Sequence, residues 1–185
     1  KLGGQAKYAI LPETPPGGML APRPASLTAE EAAAVPFAAF EALYFLNKAE
    51  LRPGARILIV GAGGSIGTYA VQIAKAAGAE MSAVDRPAKH AMLKEIGADH
   101  VLDADAERYG PRRTRSGATA IAANDDKASA GFDVVFDVVG PRTFRRGIRA
   151  LRRGGRYVTA NPSLTLLMRG LWARLVSGKR VIFGT

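Results

Sequence analysis

The sequence predicts an α/β fold built on a doubly wound parallel sheet, and three observations carry that expectation. Arg56–Val60 (RILIV) and Phe132–Val139 (FDVVFDVV) are short apolar runs rich in β-branched residues, without the polar alternation of a half-exposed strand, so they read as strands buried on both faces. Segments with apolar residues at helical spacing separate such runs along the chain, and alternating β and α implies parallel strands covered by helices on both sides. Between the first run and its following helix lies a glycine turn, Gly61-Ala62-Gly63-Gly64-Ser65-Ile66-Gly67, and Asp85 closes the next strand 18 residues after Gly67. Together these make one βαβ unit.

The 185 residues suffice for one good core, or for one domain and a piece of another. A hydrophobic content of 48% with a mean hydropathy of +0.01 indicates a globular protein. No apolar run reaches the roughly 18 residues of a membrane helix, so no membrane partner is expected. Lys1-Leu2-Gly3-Gly4 lacks an apolar signal core, and the absence of an initial Met agrees with a removed or missing N-terminal part. The chain has no cysteine, which excludes disulfides and thiolate metal sites within it and fits a reducing, cytoplasmic setting. The formal charge of +10 raises the question of nucleic acid. Its arginines, however, are spread over 108–115, 142–156 and 169–180 without aromatic interleaving, a pattern of solvated surface that also suits phosphate-bearing ligands.

In chain order, Gln5–Leu11 reads as a strand and Pro12–Pro24, broken by prolines and glycines, as a connecting loop. Thr28-Ala29-Glu30-Glu31 has the form of a capping box. Pro36 suits the start of a second helix, with Phe37, Phe40, Leu43 and Tyr44 as its apolar face. An Arg52-Pro53-Gly54 turn feeds strand Arg56–Val60. Ile66, Ala70, Ile73, Ala74 and Ala77 recur at helical spacing, and Gly78 stands where a glycine ends a helix. Met81–Val84 is the next strand. Pro87 opens a helix to about Ile96, stopped by Gly97, and His100-Val101-Leu102 is a third strand. Asp103–Ala130 has no sustained period and is expected to be a mobile insertion outside the sheet. After strand Phe132–Val139 follow a helix over Thr143–Leu151, a strand over Arg156–Thr159, a helix over Leu164–Val176 and a strand over Arg180–Phe183. No repeat of 20 to 50 residues occurs beyond this alternation, which argues against a solenoid.

The glycine turn suggests a chemistry. A helix N-terminus carries unpaired N–H groups and partial positive charge, and glycines let the backbone approach a pyrophosphate. Gly61, Gly63, Gly64, Ser65, Ile66 and Gly67 are therefore candidate dinucleotide contacts. Asp85 is placed to accept from the adenosine ribose, and Arg86 and Lys89 lie close enough to reach it. The carboxylate favours NAD and the two cations favour NADP. Repulsion at hydrogen-bond distance outweighs cations on solvated stems, so NAD is narrowly preferred. Val139 and Gly140 are expected to line the cleft at the carboxyl ends of the strands, and Asp137 to act as a cap at its strand end. Gly63-Gly64-Ser65-Ile66-Gly67 also matches the G-x-S-x-G elbow of α/β-hydrolases, but His90 and His100 come too early for the usual triad order. A triphosphate P-loop is excluded, because no Lys-Ser or Lys-Thr pair follows the turn. Neither histidine has partners at metal-ligand spacing.

The chain resembles the zinc-free, quinone-oxidoreductase-like and alcohol-dehydrogenase-like branch of the medium-chain dehydrogenase/reductase superfamily. The matching pieces are Gly3–Ala9 with Pro12-Glu13, Leu27–Ala39, Leu51–Gly54, Gly97–Val101, Phe132–Gly140 and Gly154–Val158, leaving about 104–130 unmatched. The resemblance implies a Rossmann-type nucleotide domain over 28–185, incomplete at its C-terminus, preceded in 1–27 by the tail of a GroES-like substrate domain. It implies an NAD(P)-dependent oxidoreductase acting on quinones, enones or alcohol/aldehyde pairs, with no catalytic acid assigned. Phe183 and Gly184, at the last strand's end, join the expected cofactor contacts. Relatives that use zinc carry a ligand cysteine about where Phe37 stands, so no metal is expected. Glu41 replaces a threonine that relatives often have near the nicotinamide, and Ser65 and Ile66 replace glycine and valine of the usual turn. The expected partners are a dinucleotide and a small-molecule substrate, and the Leu164, Leu167, Met168, Leu171, Leu175 series, read as core or interface, admits a homodimer. A non-catalytic nucleotide-binding or sensor module is the alternative from another functional class.

Overall fold

A computed structural model of the protein describes residues 10, 12, 20–105, 109, 131–161 and 178–184. Gln5–Leu11 and Leu164–Val176, expected as a strand and a helix, lie almost wholly outside these residues. The chain divides into two compact units, Lys1–Pro36 and Phe37–Thr185.

The second unit holds a six-stranded sheet. Its strands are β1 (Arg56–Val60), β2 (Glu80–Asp85), β3 (His100–Asp103), β4 (Phe132–Asp137), β5 (Leu151–Thr159) and β6 (Arg180–Phe183). They lie side by side in the order β3-β2-β1-β4-β5-β6, and every neighbouring pair is parallel. β1 is central because its residues Ile57 to Val60 are buried without interruption. Each such aliphatic side chain contributes about 1.5–3 kcal/mol on burial. Alternate residues serve opposite faces. Ile57 and Ile59 join one core with Met81, Ala83, Val134 and Phe136, while Leu58 and Val60 join another with Val84, Val135 and Tyr157.

Helix α1 (Ala29–Lys48) begins at the capping box, where the Thr28 N–H donates to Glu31 Oε2 (2.8 Å) and the Glu31 N–H to Thr28 Oγ1 (3.2 Å). Two expectations for this helix are corrected. Pro36 does not start a second helix; it lies inside α1. Initiation is settled upstream by the cap, and the interior proline forfeits one backbone bond, a loss of about 3 kcal/mol that the helix tolerates because its later turns are packed. The apolar face is also different. Phe37, Phe40 and Leu43 are 73%, 54% and 46% exposed, whereas Ala38, Ala42, Phe45 and Leu46 are buried. Both sets have helical spacing. The small side chains of Ala38 and Ala42 suit a closely approached surface, and Phe45 meets Phe136 of the sheet at a ring distance of 5.5 Å.

Helix α2 (Ser65–Ala76) follows the turn as expected, and Gly78 (φ +73) lies just beyond its cap. The helix expected from Pro87 to Ile96 is divided. A 3-10 turn, η1 (Pro87–Lys89), precedes α3 (His90–Glu95). β4 ends at Asp137, two residues early, because the buried carboxylate captures the N–H groups of Val139 and Gly140. Helix α4 (Phe144–Ala150) stops before Leu151, which already belongs to a β5 longer than expected. Helices α1, α2 and α3 contribute to the core on one face and α4 to that on the other. Among the described residues no helix is long and apolar enough to cross a membrane.

The expected insertion 103–130 is mostly outside the described residues, but its start is not. Asp103 pairs with Asp85 in the sheet, and Tyr109 is 1% exposed in the core of the α4 face. Its hydroxyl donates to the Ala104 carbonyl (3.0 Å), and Arg146 lies over its ring. At these positions the segment belongs to the fold, contrary to expectation, because a buried aromatic outweighs the weak local pattern around it.

Candidate functional site

After β3 the chain recrosses the sheet to lay β4 against the other side of β1, so the strand order reverses between β1 and β4. A doubly wound sheet leaves a crevice outside the carboxyl ends of the strands at such a point. The turn from β1 to α2, the Asp85–Lys89 corner after β2 and the Val138–Gly140 turn after β4 all follow the carboxyl ends of these strands.

The glycine turn is anchored by β2. The N–H groups of Gly61 and Ala62 donate to the Val84 carbonyl (2.9 and 3.1 Å), and that of Gly63 donates to Asp85 Oδ2 (2.7 Å). Gly61 has φ +83, and a side chain there would meet the Cγ2 atoms of Val138 and Val139 at 2.8 Å. Gly67 is constrained by space alone. A Cβ on it would stand 2.4 Å from the Gly61 carbonyl oxygen and 2.6 Å from Ala62 Cα. This close approach brings the start of α2 against the turn. Gly64 is the N-cap and has no side chain to offer, and the first intrahelical bond runs from the Thr68 N–H to the Gly64 carbonyl (2.9 Å). The N–H groups of Ser65, Ile66 and Gly67 therefore have no partner within the helix, and of the three residues Ser65 is exposed, Ile66 half-buried and Gly67 buried.

Asp85 is 9% exposed. Besides holding Gly63, it accepts from the Arg86 N–H at Oδ1 (2.8 Å). Lys89 lies along the turn. Its stem rests on Gly63 and its Nζ donates to the Gly63 carbonyl (2.7 Å). Arg86 is exposed. Sequence reasoning placed all three around a ribose; the structure brings Asp85 and Lys89 onto the glycine turn itself, and leaves the Arg86 side chain at the surface.

On the β4 side, Val139 is 52% exposed while Gly140 is buried with φ +113. Asp137, 0% exposed, accepts from the N–H groups of Val139 (2.9 Å) and Gly140 (3.0 Å) at Oδ1 and from the hydroxyls of Thr143 and Tyr157 at Oδ2. Burial, with the Asp137 charge and hydrogen bond added, raises the Tyr157 pKa far above the ordinary phenol value, so this hydroxyl stays a donor. Asn161, just beyond β5, donates from Nδ2 to the Val138 carbonyl (2.8 Å). Thr143, Tyr157 and Asn161 were missed by sequence reasoning. Position immediately after a strand is the one signal that was available for Asn161. Phe183 and Gly184 stand apart from the turn. They close β6, three strand spacings or about 14 Å from β1, with Gly184 against the Phe45 ring and the Phe183 carbonyl 3.5 Å from Lys48 Nζ.

Among the described residues neither histidine is hydrogen-bonded to Ser65. His90 Nε2 is held 2.9 Å from the Asp85 carbonyl, and His100 lies at the start of β3, 3.9 Å from Glu80. Among the described residues no three His, Cys, Asp or Glu side chains group as metal ligands.

A family model described as "Zinc-binding dehydrogenase" matches residues 65–161. Crotonyl-CoA reductase of Streptomyces collinus is 32% identical over 170 residues, which are 85% of this chain and 37% of that protein. The mitochondrial NAD(P)H oxidoreductase RTN4IP1 of Bos taurus is 32% identical over 150 residues, 77% of this chain and 35% of that one. Among solved structures, the quinone oxidoreductase of Thermus thermophilus, determined also in complex with NADPH, superposes with a TM-score of 0.63 at 30% identity, over 89% of this chain and 48% of its own. The chain thus spans between a third and a half of the length of these relatives.

Proposed function

The chain belongs to the medium-chain dehydrogenase/reductase superfamily, and from that premise we propose that it is the dinucleotide-binding portion of an NAD(P)-dependent oxidoreductase. The observation that carries this reading is the start of α2, with three N–H groups free of helical partners, set against the glycine turn at the reversal of strand order. It supports Ser65, Ile66 and Gly67 as the pyrophosphate contacts, with Gly61, Gly63 and Gly64 shaping the turn.

When bound, the nicotinamide cofactor supplies the hydride chemistry. The chain binds and orients it. The positive end of α2 faces the pyrophosphate, Asp85 takes the adenosine ribose on the β2 side, and Val139 and Gly140 line the other half of the cleft. NAD is favoured over NADP because the Asp85 side chain, fixed by backbone donors on both oxygens, would stand beside the adenosine ribose and repel a 2′-phosphate there. The substrate class is a quinone, an enone or an alcohol/aldehyde pair, taken up with a GroES-like domain whose tail is proposed to lie in 1–27.

The 185-residue chain is expected to quench or shift NADH fluorescence on titration yet to give no steady-state NADH oxidation with simple quinones. Absence of binding to NADH and NADPH alike sinks the reading, and turnover by this chain alone sinks the division of labour.

We propose that this portion of the enzyme holds no zinc, since among the described residues no three His, Cys, Asp or Glu side chains group as ligands. The chain has no cysteine, and Phe37, where zinc-using relatives carry a ligand, offers no donor. Elemental analysis of the whole enzyme is expected to find no stoichiometric zinc, and chelator to leave its activity unchanged; one tightly held zinc per chain with chelator-sensitive turnover refutes this.

A further inference from the structure

The most completely satisfied buried charge in the described residues is Asp137, and it does not touch the glycine turn. Its carboxylate is fully covered, receives two backbone N–H groups and two hydroxyls, and ends β4 at the edge of the cleft. An ordinary helix or strand cap needs one such bond. Here the two N–H groups belong to Val139 and Gly140, so the carboxylate sets the path of the backbone that leaves β4. Three further contacts hold the same turn. Thr143 Oγ1 also lies 2.8 Å from the Gly140 carbonyl, the Thr143 N–H donates to that carbonyl (3.2 Å), and Asn161 grips the Val138 carbonyl from the end of β5. Val138 in turn is bonded through its N–H to the carbonyl of Val60 (3.1 Å), the last residue before the glycine turn. The result is a backbone corner fixed from β1, β4 and β5 at once, with Val139 projecting from it, exposed.

We infer that Asp137 is a positioning residue for the nicotinamide half of the cofactor, acting through the Val138–Gly140 corner. This rests on the proposed dinucleotide reading. The direction follows from strand order. With the pyrophosphate on the β1 turn and the adenosine ribose on the β2 side, the remaining half of an extended dinucleotide must lie over β4 and β5. A corner held rigid before the cofactor arrives needs no ordering when it binds.

The geometry also predicts which substitution rescues. In Asp137→Asn the amide oxygen still accepts from Val139 and Gly140, so the corner keeps its acceptor, and the amide nitrogen donates to the Thr143 oxygen, whose own proton has the Gly140 carbonyl to bond; only the Tyr157 proton, which does not hold the corner, loses its acceptor. In Asp137→Ala both N–H groups and the Tyr157 hydroxyl lose their acceptor in a buried site.

The test compares NADH with AMP, which fills only the adenosine half, on the 185-residue chain by calorimetric titration. For Asp137→Ala the expected result is NADH binding weakened about tenfold, equivalent to about 1.4 kcal/mol, with AMP changed less than twofold; Asp137→Asn recovers most of the NADH loss. If Asp137→Ala fails to fold, Thr143→Val carries the same comparison, with an expected loss of about threefold for NADH only. Parallel weakening of NADH and AMP marks a purely structural role and overturns the inference, as does unchanged NADH binding in the alanine variant. A wild-type chain that binds AMP but neither NADH nor NADPH overturns the dinucleotide reading, and this inference with it.

Discussion

Gly67→Ala is expected to abolish dinucleotide binding and to destabilise the fold together. The sign is not that of helix propensity, since alanine in a helix is favoured over glycine by about 1 kcal/mol. At this position the new Cβ would stand 2.4 Å from the Gly61 carbonyl oxygen and 2.6 Å from both the Cα and the carbonyl oxygen of Ala62. These are backbone atoms of the turn and cannot swing aside as a side chain does. Relief requires α2 to move off the turn, which carries the Ser65, Ile66 and Gly67 N–H groups away from the site. Overpacking of this kind costs about 1–3 kcal/mol, larger than the propensity gain. Gly64→Ala is the control for stability alone, because its nearest neighbour is the Gly61 oxygen at 3.4 Å. Denaturant midpoints and NADH titrations of the two variants check the expectation. A Gly67→Ala chain as stable as the parent, binding NADH with the parent affinity, contradicts it.

Asp85→Ser is expected to lower the preference for NADH over NADPH by at least tenfold. The carboxylate has two tasks, and they bear on the cofactors differently. As the proposed acceptor near the ribose it would favour NAD and repel a 2′-phosphate. As the acceptor of the Gly63 N–H it supports the turn, which both cofactors need. The serine variant loses part of both, so NADH weakens twice over while NADPH gains from removed repulsion and loses from the loosened turn. The ratio of the two dissociation constants isolates the first task. It must be measured at fixed salt, because phosphate pairing is screened. Lys89 adds a second reading. Its Nζ is bonded to the Gly63 carbonyl and is released only if a phosphate offers a better partner. If the parent already prefers NADPH tenfold and Asp85→Ser changes the ratio little, the cations govern the choice and the assignment of NAD fails.

Much of this protein was legible in its residues because the signals are local. The β1–α2–β2 unit could be read from an unbroken β-branched run, a glycine turn and a helical period, each confined to a few neighbouring positions. The capping box of Thr28 and Glu31 is equally local, and its two hydrogen bonds are both made. The strand ends that were read too long or too short are those where a side chain and distant backbone compete. Asp137 stops β4 because it captures two N–H groups in a setting completed by Tyr157, 20 positions away. That partnership leaves no trace in either segment alone.

The sequence by itself determined the class of the fold, the central βαβ unit and the place of the glycine turn, since hydrophobic period and glycine spacing act over a few residues. Tertiary structure alone decided which of two helically spaced faces of α1 is buried, because the choice depends on the shape of the sheet surface that Phe45 and the alanines meet. It alone decided that α1 continues through Pro36 and that Tyr109 is core. It also gave Asp85 and Lys89 their bonds to Gly63, since β2 and the glycine turn meet only when β1 and β2 pair, and it gave Asp137 its bond from Tyr157, which comes only when β5 pairs with β4.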